Sequence, residues 1–87
     1  MDALAAVELS YRDRAILRAV AGGAAELVAG AEPDLFLDGR SCCDQLAVHR
    51  LARAGFIAAA APAPAGRRVA AQLTAIGRQA VELSLAG

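Results

Sequence analysis

The sequence predicts a small α+β domain that is mainly helical and carries one β-hairpin in its second half. Two segments begin with a serine three positions before an aspartate and continue with apolar residues at helical spacing, a pattern typical of capped amphipathic helices. Further along, two apolar runs flank a stretch with Pro and Gly at 62–66, as in a hairpin. The length of 87 residues predicts one domain, 1–87, with one small core.

The first helix is predicted at residues 11–21. Ser10 can accept a hydrogen bond from a backbone amide of the first turn, and Asp13 completes an approximate capping box. Gly22 and Gly23 end the helix, because glycine adopts the left-handed cap conformation at little cost. The apolar positions that share one face are Ile16, Leu17 and Val20.

The next segment has two possible structures. Residues 25–29 are apolar enough for a short strand, and residues 30–34 are typical of a turn. Between Pro33 and Gly39, a short apolar run fits either the arm of a hairpin or a single helical turn. The sequence leaves both alternatives open.

A second helix is predicted from Ser41, as its cap, through residue 54, with Gly55 ending it. At about 100° per residue, two opposite faces result. The face expected to point to the core holds Cys43, Ala47, Leu51 and Ala54, and the face expected to be exposed holds Cys42, Gln45, His49 and Arg53.

The rest of the chain predicts a strand, a turn, a strand and a helix. The first strand covers residues 56–61, and Pro62, Pro64 and Gly66 break it. The second strand runs over 69–73, after Arg67 and Arg68. Thr74 then caps a helix over about 75–85, with apolar positions Ile76, Ala80, Val81 and Leu83.

Composition and charge restrict the class of protein. Apolar residues make up 57% of the chain, which excludes intrinsic disorder, and no uninterrupted apolar run is long enough to span a membrane. Acidic residues stand near the N-terminus where a signal peptide would be basic, so we expect a cytoplasmic protein. All nine cations are Arg, a usage that favours a GC-rich bacterial source.

The net charge of zero hides a split between two halves. Residues 1–38 hold seven acids and three arginines, net −4, whereas residues 39–87 hold six arginines and two acids, net +4. Such an asymmetry is a hint of polyanion binding by the basic half, although a chance segregation of so few charges would look the same.

Two motifs resemble those of a known family. The segment 41–57, SCCDQLAVHRLARAGFI, is similar to the recognition helix of bacterial winged helix-turn-helix regulators, which ends in Leu-x-x-x-Gly-Leu/Phe-Ile and enters the wing. The segment 73–78, LTAIGR, resembles the Leu-Thr-x-x-Gly-Arg that closes the wing in MarR-like members. With the first helix, the resemblance covers about residues 10–85. Residues 31–40 depart from it, because the family has a helix there and Pro33 and Gly39 bracket only five residues.

The resemblance implies a winged-helix transcriptional regulator that binds double-stranded DNA, with helix 41–54 in the major groove and the wing at 62–68 on the backbone. Gln suits adenine and Arg suits guanine at base edges, and further arginines can hold phosphates. The expected DNA-binding residues are Arg40, Gln45, His49, Arg50, Arg53, Arg67 and Arg68. The alternatives are a solvated helix surface without a ligand, or a winged-helix-derived adaptor that binds a protein or peptide, which the acids of 31–40 and the zero net charge favour.

Enzymatic, metal and cofactor functions are not predicted. No motif places a nucleophile or a carboxylate beside His49, and no glycine-rich phosphate loop is present. Zinc needs about four ligands in paired spacing, and the adjacent Cys42 and Cys43 have no second cluster. Cys42, expected in a first helical turn, remains a candidate redox group.

The two ends of the chain carry apolar residues on several sides. They include Leu4, Val7 and Leu9 at one end and Ile76, Val81, Leu83 and Leu85 at the other. A homodimer through the terminal helices would bury them and present two recognition helices to two half-sites. The alternative is that both ends pack on each other within one chain.

Overall fold

The structure, a computed structural model, describes residues 9–86, with side chains through residue 83. It is an α+β fold with three helices and a five-stranded antiparallel sheet, and no described helix combines the length and apolar character needed to cross a membrane. In chain order the elements are α1 (Tyr11–Ala21), β1 (Ala25–Val28), β2 (Leu35–Leu37), β3 (Arg40–Ser41), α2 (Gln45–Arg53), β4 (Ile57–Ala59), β5 (Arg68–Leu73) and α3 (Ala75–Ala86).

Helix α1 confirms the predicted bounds and cap. The Ser10 hydroxyl accepts from the Asp13 amide at 3.0 Å, and the Asp13 carboxylate accepts from the Ser10 amide at 2.9 Å, so the capping box is complete. Two of the four amides that lack an intrahelical partner at the start of the helix are therefore satisfied. The predicted apolar face is buried in the core: Ile16, Leu17 and Val20.

The sheet has the strand order β3-β2-β1-β5-β4, with β1 at its centre and β3 and β4 at its edges. Leu27 of β1 lies opposite Leu35 on one side and Val69 on the other, and Leu27 and Leu35 are both buried. The alternate positions of β5, occupied by Arg68, Ala70 and Gln72, are exposed. One face of the sheet therefore packs on the helices, and the opposite face is largely open.

Residues 35–41 form a hairpin, which decides between the two alternatives for this segment. Strands β2 and β3 are joined by Asp38 and Gly39, with φ of 52° and 78°. Two successive residues at positive φ are characteristic of the type I′ turn that links two twisted strands, and Asp-Gly suits it. Residues Leu35–Leu37 thus form a strand and not a helical turn.

Helix α2 starts later than predicted. Ser41 is not its cap, because Ser41 lies in β3 opposite Phe36. The cap is Asp44, whose carboxylate accepts from the Ala47 amide at 3.0 Å. Ser41 and Asp44 are both good capping residues, and the strand pairing of Ser41 leaves only Asp44 for the helix.

Thr74 fixes the junction between β5 and α3, as predicted. Its hydroxyl donates to the Gly55 carbonyl and accepts from the Gly77 amide at 3.1 Å, so one side chain ties the end of α2 to the start of α3. Gly77 lies against the backbone of Phe56, where a Cβ would overlap the carbonyl oxygen. Phe56 itself is fully buried in the core.

Candidate nucleic-acid interface

Helix α2 has a buried face and an exposed edge. Val48 and Leu51 are buried, and Leu46 is 83% exposed. Positions 46 and 48 are 200° apart around a helix, so burying Val48 turns Leu46 toward solvent. Arg50 and Arg53 lie four and seven residues after Leu46 and are also exposed. We call these three side chains, Leu46, Arg50 and Arg53, the α2 edge.

The face of α2 predicted to point to the core was partly wrong. Ala47 and Leu51 are buried as expected, but Cys43 and Ala54 are exposed. Cys43 precedes the helix, because α2 begins at Gln45, and Val48 takes the core position that the prediction omitted.

Gln45, predicted to read a base, is occupied inside the molecule. Its side-chain carbonyl accepts from the Leu35 amide at 2.9 Å, and its amide nitrogen donates to the carbonyls of Leu35 and Cys42, each at 2.9 Å. These bonds anchor the β2–β3 hairpin to the start of α2. A base contact would require breaking them, so the structure does not place Gln45 on the α2 edge.

His49 is also covered. Its Nε2 lies 2.8 Å from a carboxylate oxygen of Asp34, and only 18% of its side chain is exposed. Asp34 belongs to the loop before β2, so the hairpin segment lies along this flank of α2. Of the predicted reading stripe of Gln45, His49 and Arg53, only Arg53 belongs to the α2 edge.

Arg50 and Arg12 hold α2 against α1. Arg50 donates to the carboxylate of Asp13, whose side chain is 3% exposed, while 58% of the Arg50 side chain remains in contact with solvent. Arg12 lies 3.2 Å from Asp44. The backbone amide of Ala47, followed by the Arg12 side chain, holds the pKa of Asp44 below its usual value, because both stabilise the carboxylate.

The two arginines of the wing differ. Arg68 lies over the Phe36 ring, 3.8 Å from its centroid, and 3.2 Å from a carboxylate oxygen of Glu26. It is therefore held on the open face of the sheet. Arg67 follows the turn that ends at Gly66, and it is exposed.

Three predicted phosphate or base contacts are exposed arginines whose side chains have no hydrogen bond or ion pair within residues 9–83: Arg40, Arg53 and Arg67. Arg53 and the wing residues Pro62 and Ala63 line one groove, so the C-terminal end of α2 lies beside the wing. Arg40 lies in β3, at the opposite edge of the sheet from β4. The structure thus brings Arg53 and the wing together, and places Arg40 elsewhere.

Sequence reasoning missed Leu46 and the internal bonds of Gln45 and His49. A usable signal for Leu46 was present, since the apolar Val48 and Leu51 define a core direction that excludes position 46. Gln45 has one near partner, the Cys42 carbonyl, but no local signal identifies its bonds to Leu35 or the contact of His49 with Asp34, because these residues are ten and fifteen positions away.

The cysteines do not form a cluster with other ligands. Cys42 is half-buried and packs against the core, and Cys43 is exposed, the reverse of the predicted assignment. Cys42 lies before α2, so it is not in a first helical turn as expected. In the part of the chain that the structure describes, no group of three or more His, Cys, Asp or Glu could hold a metal ion.

The apolar residues at the two ends of the chain are those expected to form the predicted homodimer interface. Ile76 and Val81 pack partly buried against the core, Ala80 is buried and Leu83 is 60% exposed. Leu9 packs against the same core, while Leu4, Val7 and the side chain of Leu85 lie outside the described residues. The dimer remains a prediction.

No protein-family model, curated protein or solved structure matches the chain.

Proposed function

We propose that the chain is a winged-helix DNA-binding regulator that lays the α2 edge in the major groove and the wing on the neighbouring backbone. One observation carries the proposal: Arg53 of the α2 edge borders the same groove as the wing residues Pro62 and Ala63. A helix with exposed arginines and a projecting hairpin are thus side by side, where one duplex can touch both.

The order of the elements supports this proposal. Helix α2 leads directly into β4, a turn and β5, and β1 pairs with β5 on the side away from β4. This is the arrangement expected for a recognition helix followed by a wing. The β2–β3 hairpin stands between β1 and α2, where the resemblance implied a helix.

The groups on the α2 edge have suitable chemistry for base edges. A guanidinium such as that of Arg53 can donate two hydrogen bonds to guanine, and an exposed apolar side chain such as Leu46 can contact a thymine methyl group. Arg67 on the wing is suited to phosphate. Gln45 and His49 are left out of this set because the hairpin segment occupies them.

Fluorescence anisotropy with a labelled random duplex at low salt tests the proposal. We expect binding that weakens steeply as salt rises, because each neutralised phosphate releases counterions. The double variant Arg53→Gln, Arg67→Gln should weaken binding and reduce the slope of log affinity against log salt by about 1–2.

The matched control is Arg14→Gln, Arg78→Gln, which removes the same charge. Arg14 lies on the flank of α1 away from Arg12, the residue that contacts α2, and Arg78 lies on α3, where its guanidinium donates to the Leu73 carbonyl at 3.1 Å. Urea denaturation checks that the control stays folded without this bond. An equal loss of affinity in both double variants would show that only net charge matters. Absence of duplex binding at low salt would overturn the proposal.

A protein- or peptide-binding adaptor is the second candidate, and the covered flank of α2 favours it. The carboxylate of Asp34 lies on that flank, where it would repel phosphate. Pull-down from a bacterial lysate on the immobilised chain, repeated with nuclease, separates the two functions: an adaptor retains a protein after nuclease treatment and does not bind duplex.

A further inference from the structure

The open face of the sheet, on the side away from the helices, carries a guanidinium that lies over an aromatic ring. The Arg68 side chain starts on β5 and reaches the ring of Phe36 on β2, 3.8 Å from its centroid. Strand β1 lies between these two strands, so the side chain crosses it. The Arg68 Nε lies 3.2 Å from a carboxylate oxygen of Glu26, and a terminal nitrogen donates to the Gly39 carbonyl at 3.4 Å. The ring, the carboxylate and the carbonyl together fix the position of the guanidinium.

Small side chains surround this guanidinium and leave it accessible. Ala70 lies opposite Glu26 in the sheet, and Ser41 lies opposite Phe36. Both Ala70 and Ser41 are exposed. The side chain of Arg68 is 41% exposed and that of Glu26 is 46% exposed. A planar guanidinium held in this way offers a surface on which a second planar group can stack.

The chemistry around the guanidinium matches an unpaired nucleobase. Bases stack on guanidinium planes and aromatic rings, and this requires a single strand, because a duplex hides the faces of its bases. The ionised Glu26 carboxylate only accepts hydrogen bonds, so it suits a base with an exocyclic amino group. Arg40, next to Ser41 on the edge strand β3, is exposed, and its side chain has no hydrogen bond or ion pair within residues 9–83. It is therefore free to bind a phosphate.

We propose that the open face of the sheet binds single-stranded nucleic acid, with one base stacked on Arg68, its amino group on Glu26 and a neighbouring phosphate on Arg40. This binding goes beyond duplex recognition and does not depend on it, because Val48 and Leu51 of α2 pack in the core on the other side of the sheet. The sequence predicted Arg68 as a contact to duplex DNA, and the structure gives its guanidinium a different surface.

The test titrates the full-length chain into fluorescein-labelled hexacytidylate or hexauridylate, two single strands of equal length and charge. Cytosine has an amino group where uracil has a carbonyl. We expect saturable binding, with hexacytidylate about two- to tenfold tighter, the effect of one net hydrogen bond. In the ¹⁵N-labelled chain, the amide shifts should centre on the open face, at Phe36, Arg68 and Ala70.

Four variants make the outcome specific. Arg68→Lys keeps the charge and removes the plane, so it should weaken both strands about fivefold or more, as expected for loss of a stacking partner. The matched control Arg14→Lys, on α1, should bind like the unmodified chain. Glu26→Leu should abolish the preference for cytosine. Arg40→Gln should reduce the slope of log affinity against log salt by about 0.7, the value for one phosphate of a single strand.

Urea denaturation checks that each variant is folded. Unchanged affinity of Arg68→Lys, a cytosine preference that survives Glu26→Leu, an unchanged salt slope in Arg40→Gln, or binding that does not saturate would each overturn the proposal. Shifts of the same amides on concentrating the chain alone would assign the open face to a second copy and also overturn it. Loss of duplex binding with hexacytidylate binding retained would overturn only the function proposed above, and the reverse would overturn only this one.

Discussion

Arg50 on α2 donates a hydrogen bond to the buried carboxylate of Asp13 on α1. The same carboxylate accepts from the Ser10 amide and so completes the cap of α1. Asp13 therefore accepts a hydrogen bond from the backbone at the start of α1 and also holds Arg50 on the exposed edge of α2. One guanidinium nitrogen of Arg50 is held by Asp13, and the rest of the side chain is open to solvent. Arg50 is therefore exposed in a defined position.

Arg50→Ala should lower the free energy of unfolding by about 1–3 kcal/mol, because it leaves the Asp13 carboxylate buried without its cationic partner. Arg53→Ala, on the same edge but without a partner among the described residues, should change stability by less than about 0.5 kcal/mol. Urea denaturation followed by circular dichroism measures both. Equal effects of the two variants would contradict the importance of the Asp13 contact.

Gln45→Leu should destabilise the chain by about 1–3 kcal/mol, because the amide of the buried Leu35 loses its acceptor, whereas the Leu35 carbonyl keeps its bond from the Cys42 amide. The same substitution at Gln79, which is exposed on α3, should have little effect. Urea denaturation gives the stability, and hydrogen exchange of the Leu35 amide reports the hairpin directly. Unchanged exchange at Leu35 would mean that Gln45 does not anchor the hairpin.

Gly77→Ala should destabilise the fold by about 1–3 kcal/mol, as expected for overpacking. Alanine favours helices over glycine, but its Cβ would overlap the Phe56 carbonyl, a backbone atom that cannot move aside cheaply. Thermal unfolding of this variant is compared with Gln79→Ala, an exposed site on the same helix. A melting temperature of Gly77→Ala above that of the unmodified chain would show that the gain in helix propensity exceeds the cost of the clash with Phe56.

Acid should weaken the start of α2 through Asp44. Its pKa is lowered by the Ala47 amide and by Arg12, so the charged form is favoured in the folded state. This contribution to stability is present above the usual value of 3.8 and is lost as the pH falls through the lower folded value. In denaturation from pH 6 to pH 2, Asp44→Asn, which keeps a capping side chain, should show a smaller loss of stability than the unmodified chain.

Local signals predicted the helices with local caps. Ser10 and Asp13 lie three residues apart and define the start of α1, and Thr74 defines the start of α3 by the same kind of bond. The turn with Pro and Gly and its two flanking strands were also predicted. Strands β4 and β5 are consecutive in the sequence and pair with each other. These elements need no information from distant residues.

The predictions were wrong where contacts between residues far apart in the sequence determine the structure. Ser41 and Asp44 are equally good caps in sequence, and pairing of Ser41 with Phe36 selects Asp44. Gln45 and His49 are polar residues on a helix, and only the fold shows that Leu35 and Asp34 occupy them. Two of the three residues in the predicted reading stripe were therefore misassigned when their side chains were placed by helical spacing alone.

For the proposed DNA binding, the turn at Asp38 and Gly39 limits how much of α2 a duplex could contact. Asp34 and Leu35, where the chain enters this hairpin, lie against His49 and Gln45 and cover one long side of α2, which leaves a narrow strip accessible. We therefore expect a short footprint, with contacts confined to a few adjacent base pairs and mostly one strand. Selective recognition of one genomic site would then require several copies of the chain bound side by side on the same duplex.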